Sequence, residues 1–129
     1  DRNTVASGAC SLEDCAASIL ATVVSVARPG QIIIDGGSKT FSSDRLVDGG
    51  DHAGFGQIAG VPAAAFVKMS EEHGFLDFSR CGRVFQIGER VRIIPNHICT
   101  AVNLHESVYG VRGDDVERCW SVAGRGRLQ

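Results

Sequence analysis

The sequence predicts a mainly β domain, a compact antiparallel barrel or sandwich with one or two short helices. Three observations carry that expectation. Runs rich in β-branched residues recur along the chain, each stopped by turn-forming residues. Apolar spacing of helical period is scarce. Sixteen glycines and three prolines supply the many turns that such a fold needs. A length of 129 residues suits one domain with its own core and is short for two, so residues 1–129 are read as one unit.

The first strand is expected over residues 18–26 (S-I-L-A-T-V-V-S-V), partly buried on both faces. The second covers residues 31–35 (Q-I-I-I-D) and stops at Gly36-Gly37. Arg28-Pro29-Gly30 between them has hairpin chemistry, with Pro and Gly in turn positions. Residues 42–57 read as a polar, Gly-rich connection. A third strand is expected over residues 63–69 and a fourth over 90–94, after the Gly88-Glu89 turn. Residues 107–111 and 116–122 are strand-like, joined through Arg112-Gly113-Asp114-Asp115, and predict a closing hairpin. That turn contains Arg-Gly-Asp; a Gly-Asp hairpin tip is the plainer reading than an adhesion motif. No repeat or low-complexity segment is visible.

A formal net charge of -2 gives no electrostatic case for nucleic acid or an anionic membrane. The longest apolar stretch, residues 16–27, is interrupted by Ser18, Thr22 and Ser25 and is too short to span a bilayer. No basic segment followed by an apolar run and cleavage site opens the chain, and its first residue is Asp1, which suggests processing or excision from something longer. The five cysteines are odd in number and contain no Cys-x-x-Cys pair. A reducing, cytoplasmic setting is expected, with Cys10, Cys15, Cys81 and Cys119 as small packing residues.

The segment richest in chemistry is R-I-I-P-N-H-I-C-T-A-V-N-L (92–104). An apolar strand ends at Pro95, and His97 and Cys99 follow two residues apart. In an extended or turning backbone they aim at one side, with Ile98 between them turned into the core. Imidazole with thiolate is a zinc-type ligand pair, and two protein donors leave coordination positions open. The spacing alone leaves two readings, a metal-ligand pair and loop-packing residues. His52, His73 and His105 each read singly as surface or hydrogen-bonded residues. Gly36-Gly37-Ser38-Lys39-Thr40 fails as a phosphate loop, since Ser38 and Ile33 stand where glycines are required. Lys39 and Lys68 are the two lysines, and neither has the context of a Schiff-base residue.

Beyond these local readings, the chain resembles the carboxy-terminal domain of the D-serine dehydratase and D-threonine aldolase family. The matching pieces are L-A-T-V-V-S (20–25), I-I-D-G-G-S-K-T-F-S-S-D (33–44), S-E-E-H-G (70–74), G-E-R-V-R-I-I-P-N-H-I-C-T-A-V-N-L (88–104) and V-A-G-R-G-R (122–127). They lie in the family's order and span nearly the whole chain. The resemblance implies a metal-activated, fold-type III (alanine racemase-like) pyridoxal-phosphate lyase. An amino-terminal (β/α)8 barrel would bind the cofactor and supply the Schiff-base lysine, and this β domain would follow it. His97 and Cys99 would hold the divalent metal, and Cys99 favours zinc, with manganese as the alternative. The implied substrate is a D-3-hydroxy amino acid, whose β-hydroxyl the metal activates.

Cys99 also favours the dehydratase reaction, D-serine to pyruvate and ammonia, because aldolase members often have Asp at that place. Retro-aldol cleavage of the D-threonine aldolase type is the alternative. A non-catalytic metal-binding interaction module is a third reading, from a different functional class. The isolated domain is expected to be inactive, and the intact enzyme to be a homodimer. His73 is the candidate for orienting the ligands, and Asp35 and Lys39 are candidates for contact with the barrel or the second subunit. Thr100 stands where many relatives have Pro and is expected to touch neither ligand.

Overall fold

Successive residues of a strand face opposite sides, so alternation of apolar and polar side chains lets one face of each strand line a core. The computed structural model describes residues 1–46 and 54–127. In chain order these contain α1 (Arg2–Ala6), β1 (Ile19–Arg28), β2 (Gln31–Ile34), α2 (Ser38–Phe41), β3 (Gly56–Ile58), β4 (Ala65–Met69), β5 (Gly74–Asp77), β6 (Arg90–Pro95), α3 (Ile98–Leu104), β7 (Ser107–Arg112) and β8 (Asp115–Ser121). The fold is mainly β and antiparallel, as expected, with three short helices where one or two were expected.

Strands β1 to β6 form one sheet in the order β3-β6-β1-β2-β5-β4, every neighbouring pair antiparallel. The β1–β2 hairpin forms at Pro29-Gly30, with Arg28 opposite Gln31 and Gly30 at φ 71°. A positive φ is one that glycine adopts without a Cβ penalty. The two edges of the sheet nearly meet, because the Phe55 N–H just ahead of β3 donates to the Phe66 carbonyl on β4 at 3.1 Å. The result is close to a closed barrel.

Its interior holds Val23, Ile32, Ile34, Phe66, Leu76 and Ile93, all buried. Burying an aliphatic or aromatic side chain of this size contributes about 1.5–3 kcal/mol. The first strand is buried on one face, not on both: Ala21 and Val23 point inward, whereas Leu20, Val24 and Val26 are exposed. A small barrel buries only the residues that face its interior. Two short strands, β3 and β5, were not foreseen, and β3 begins inside the expected connection over residues 42–57. The rest of that connection, with His52, lies partly outside the described residues.

Helix α2 docks on the β4–β5 turn. The N–H groups of Ser38 and Lys39 donate to the carbonyls of Ser70 and Glu71 at 2.9 and 3.1 Å. Gly37 permits this approach, since a Cβ there would collide with both carbonyls. Phe41 then enters the core and meets the Phe66 ring edge-on, with centroids 5.1 Å apart. The expected terminal hairpin is present with a tighter tip, because Arg112 and Asp115 pair and leave Gly113-Asp114 as the turn. It forms a separate two-stranded sheet. None of the described helices is long and apolar enough to cross a membrane.

Candidate metal centre

Strand β6 delivers the motif. Pro95 is its last residue and pairs with Gly56 of β3, so it belongs to the ladder that it was expected to end. Its missing N–H does no harm there, since the ladder between β6 and β1 runs only from Arg90 to Ile93. Asn96 and His97 then lead directly into α3, so the expected loop is a helix of seven residues. His97 is the residue before its first turn, in an extended conformation. The Ile98 N–H, unpaired within the helix, donates to the Asp1 carboxylate at 2.8 Å.

The His97 ring is half-exposed, and its Nδ1 lies 2.8 Å from Asp44 Oδ2. The Thr100 hydroxyl reaches the same oxygen at 3.1 Å and the His97 carbonyl at 3.1 Å. Thr100, expected to touch neither ligand, therefore contacts the histidine and its carboxylate partner. Cys99 is a free, exposed thiol in the first turn of α3. Ile98 is half-buried and lines an apolar groove with Leu20, Ala101, Val102 and Val108 rather than joining the core cluster.

Beneath the motif, Asn96 is 1% exposed and fully engaged. Its Nδ2 donates to the carbonyls of Asp44 and Gly54 at 3.0 and 2.9 Å, and its Oδ1 accepts from Arg2 at 3.0 Å. Sequence reasoning missed both Asp44 and Asn96. Each lay in a stretch that carried the resemblance: Asp44 ends the segment 33–44, and Asn96 directly precedes His97.

His73 sits in the β4–β5 turn, where its N–H donates to the Ser70 hydroxyl at 3.2 Å. It lines a shallow depression with Val24, Ser25, Ile33, Ser70 and Phe75, whereas the neighbour found on the His97 ring is Asp44. His105 follows α3, and its Nε2–H donates to the Thr40 carbonyl at 3.1 Å, tying α3 to α2. Asp35 caps the end of β2, its carboxylate accepting from the Thr22 N–H at 2.7 Å. Lys39 reaches Glu72 at 2.6 Å and Glu71 at 3.5 Å. The Glu72 hydrogen bond, then the charges of Glu72 and Glu71, raise its ammonium above the usual lysine range.

Among the described residues, no three His, Cys, Asp or Glu side chains converge as a complete ligand set. What the structure does bring together is the His97 imidazole and a carboxylate, with Cys99 an exposed thiol two residues on; imidazole and thiolate are donor types that zinc-class ions take.

Residues 16–111 match the family described as "Putative serine dehydratase domain". The chain is 36% identical to the protein Rv1414 of Mycobacterium tuberculosis, over 93% of this chain and 91% of that one. It is 29% identical to a D-threonine aldolase of Arthrobacter, over 84% of this chain but 26% of the aldolase. The solved D-threo-3-hydroxyaspartate dehydratase of Delftia matches with a TM-score of 0.73 and 30% identity, over 88% of this chain and 34% of that one. Other matching structures, of a D-threo-3-hydroxyaspartate dehydratase, include a histidine-to-alanine variant and, numbered two positions later, a cysteine-to-alanine variant in a metal-free form.

Proposed function

The chain belongs to the serine dehydratase domain family, and from that premise we propose that it is the carboxy-terminal, metal-carrying domain of a pyridoxal-phosphate-dependent lyase of D-3-hydroxy amino acids. The observation that carries the reading is the pair of donor side chains at the start of α3, with His97 held by Asp44 and Cys99 exposed two residues on. The two variants of a D-threo-3-hydroxyaspartate dehydratase support it, since they concern a histidine and a cysteine at the same spacing.

A divalent ion on His97 and Cys99 supplies Lewis acidity toward the substrate β-hydroxyl, and a cofactor held by an amino-terminal barrel supplies the electron sink at Cα. The domain's own part is to present the two donors at the amino-terminal end of α3. β6 anchors that end through Asn96, and α2 braces it through the His105 bond. The softness of the Cys99 sulfur favours zinc over manganese and, with it, the dehydratase outcome. The same reading makes the intact enzyme a cytoplasmic homodimer. It places Asp35 and Lys39, on either side of the Gly36-Gly37 turn, against the barrel or the second subunit, and keeps His73 as a candidate for orienting the metal donors.

A second reading, a metal-binding module without catalysis, has one observation in its favour: this chain covers 91% of Rv1414 but 26–33% of the related enzymes. One set of assays separates the readings. The chain alone, mixed with pyridoxal phosphate and D-serine, is expected to give no borohydride-sensitive imine band and no turnover. In a polypeptide where a pyridoxal-phosphate barrel precedes residue 1, D-serine should yield pyruvate and ammonia, chelation should abolish this, and zinc should restore it. Glycine and an aldehyde from D-threonine would establish the aldolase reaction instead. Metal binding with no turnover in that longer polypeptide would leave the module reading.

A further inference from the structure

We infer that Asp44 is the positioning residue of the metal centre: its carboxylate holds His97 as the Nδ1–H tautomer and leaves the Nε2 lone pair for an ion. The use made of that lone pair rests on the metal-binding reading above; the tautomer does not. A carboxylate accepts hydrogen bonds and has no proton to offer, so at 2.8 Å the Nδ1 of His97 is the donor. The hydrogen bond on one ring nitrogen thereby decides which nitrogen is free to ligate.

Asp44 is itself held at three points. Its carbonyl accepts from the buried Asn96 at 3.0 Å, and its N–H donates to Ser42 Oγ at 3.2 Å. Ser42 stands at φ 63°, the one positive value among the described residues other than glycine, and turns the chain out of α2 toward α3. The third hold is on the carboxylate. Thr100 has a single hydroxyl proton, and its oxygen lies 3.1 Å from both Asp44 Oδ2 and the His97 carbonyl and 3.2 Å from Ser42 Oγ; the charged carboxylate is the stronger acceptor. Ser42 donating to Thr100, and Thr100 to Asp44, makes both contacts at once. A residue without a hydroxyl at position 100 would lose this grip on the carboxylate.

The test needs no enzymatic activity. The imidazole nitrogens of His97, assigned with a His97→Gln variant, are read by long-range proton–nitrogen correlation in the metal-free protein, well above the imidazole pKa. Zn²⁺ affinity is measured in parallel by competition with a chromophoric chelator. The wild type should show the Nδ1–H tautomer. Asp44→Ala should shift the ring toward Nε2–H and weaken Zn²⁺ binding about 10- to 100-fold. Thr100→Val should keep the tautomer and lose less affinity. If Asp44→Ala does not fold, Asp44→Asn serves, because its amide presents either oxygen or nitrogen to Nδ1 and should give a mixed ring. An Nε2–H ring in the wild type, or ring signals unchanged in both Asp44 variants, would overturn the inference. A wild type that shows the Asp44-dependent tautomer yet binds no Zn²⁺ would uphold it and remove the metal-binding reading instead.

Discussion

Asn96 joins three separate segments around the candidate centre at the level of one side chain. It is buried, its two amide hydrogens go to the carbonyls of Asp44 and Gly54, and its oxygen takes a hydrogen bond from Arg2. An amide is suited to this because it donates twice and accepts at once. Asn96→Asp would set a carboxylate against two carbonyl oxygens, and Asn96→Ala would leave those carbonyls without their donor. Each is expected to lower stability by about 2–4 kcal/mol, from unpaired buried polar groups, measured as a fall in the urea midpoint with an unchanged slope. A loss below about 0.5 kcal/mol, the level of an ordinary surface change, would mean that water replaces the amide at little cost.

Among the elements, α3 and the terminal hairpin behave differently. α3 is short and composed of Ile, Cys, Thr, Ala, Val, Asn and Leu, mostly indifferent helix formers. Tertiary contacts hold it: the Asp1 carboxylate on its first N–H, and His105 on the Thr40 carbonyl. The β7–β8 hairpin has no ladder with the main sheet, and every residue of β8 is exposed. Trp120, the only tryptophan, packs over Gly110 on this hairpin, and a Cβ there would meet its ring at 2.7 Å. A two-stranded hairpin is marginal on its own, so it should open before the barrel does. Tryptophan emission is therefore expected to change at lower urea than the far-ultraviolet circular dichroism. Coincident transitions would show that the hairpin unfolds with the core.

For the molecule as a whole, the parts legible in the sequence were those with local causes. Both hairpins announced themselves by Gly-containing turns between β-branched runs, and they formed where expected. β3 and β5, three and four residues long, are too short to show a period. α3 was hidden because contacts from distant segments override its weak propensity. Asp44 was hidden for the same reason: it meets His97 across 53 positions, a distance that no motif spacing encodes. The P-N-H-x-C element was legible because its residues are neighbours in sequence, whereas the carboxylate on the His97 ring is not. The central claim is that His97 and Cys99 are the domain's metal donors. Cobalt(II) tests it most directly, because a cobalt–thiolate bond has a near-ultraviolet charge-transfer band that other ligands do not give. The protein titrated with Co²⁺ should develop that band, lose it in His97→Ala and in Cys99→Ala, and keep it in Cys119→Ala. A band that survives Cys99→Ala, or no thiolate band in the wild type, would contradict the account.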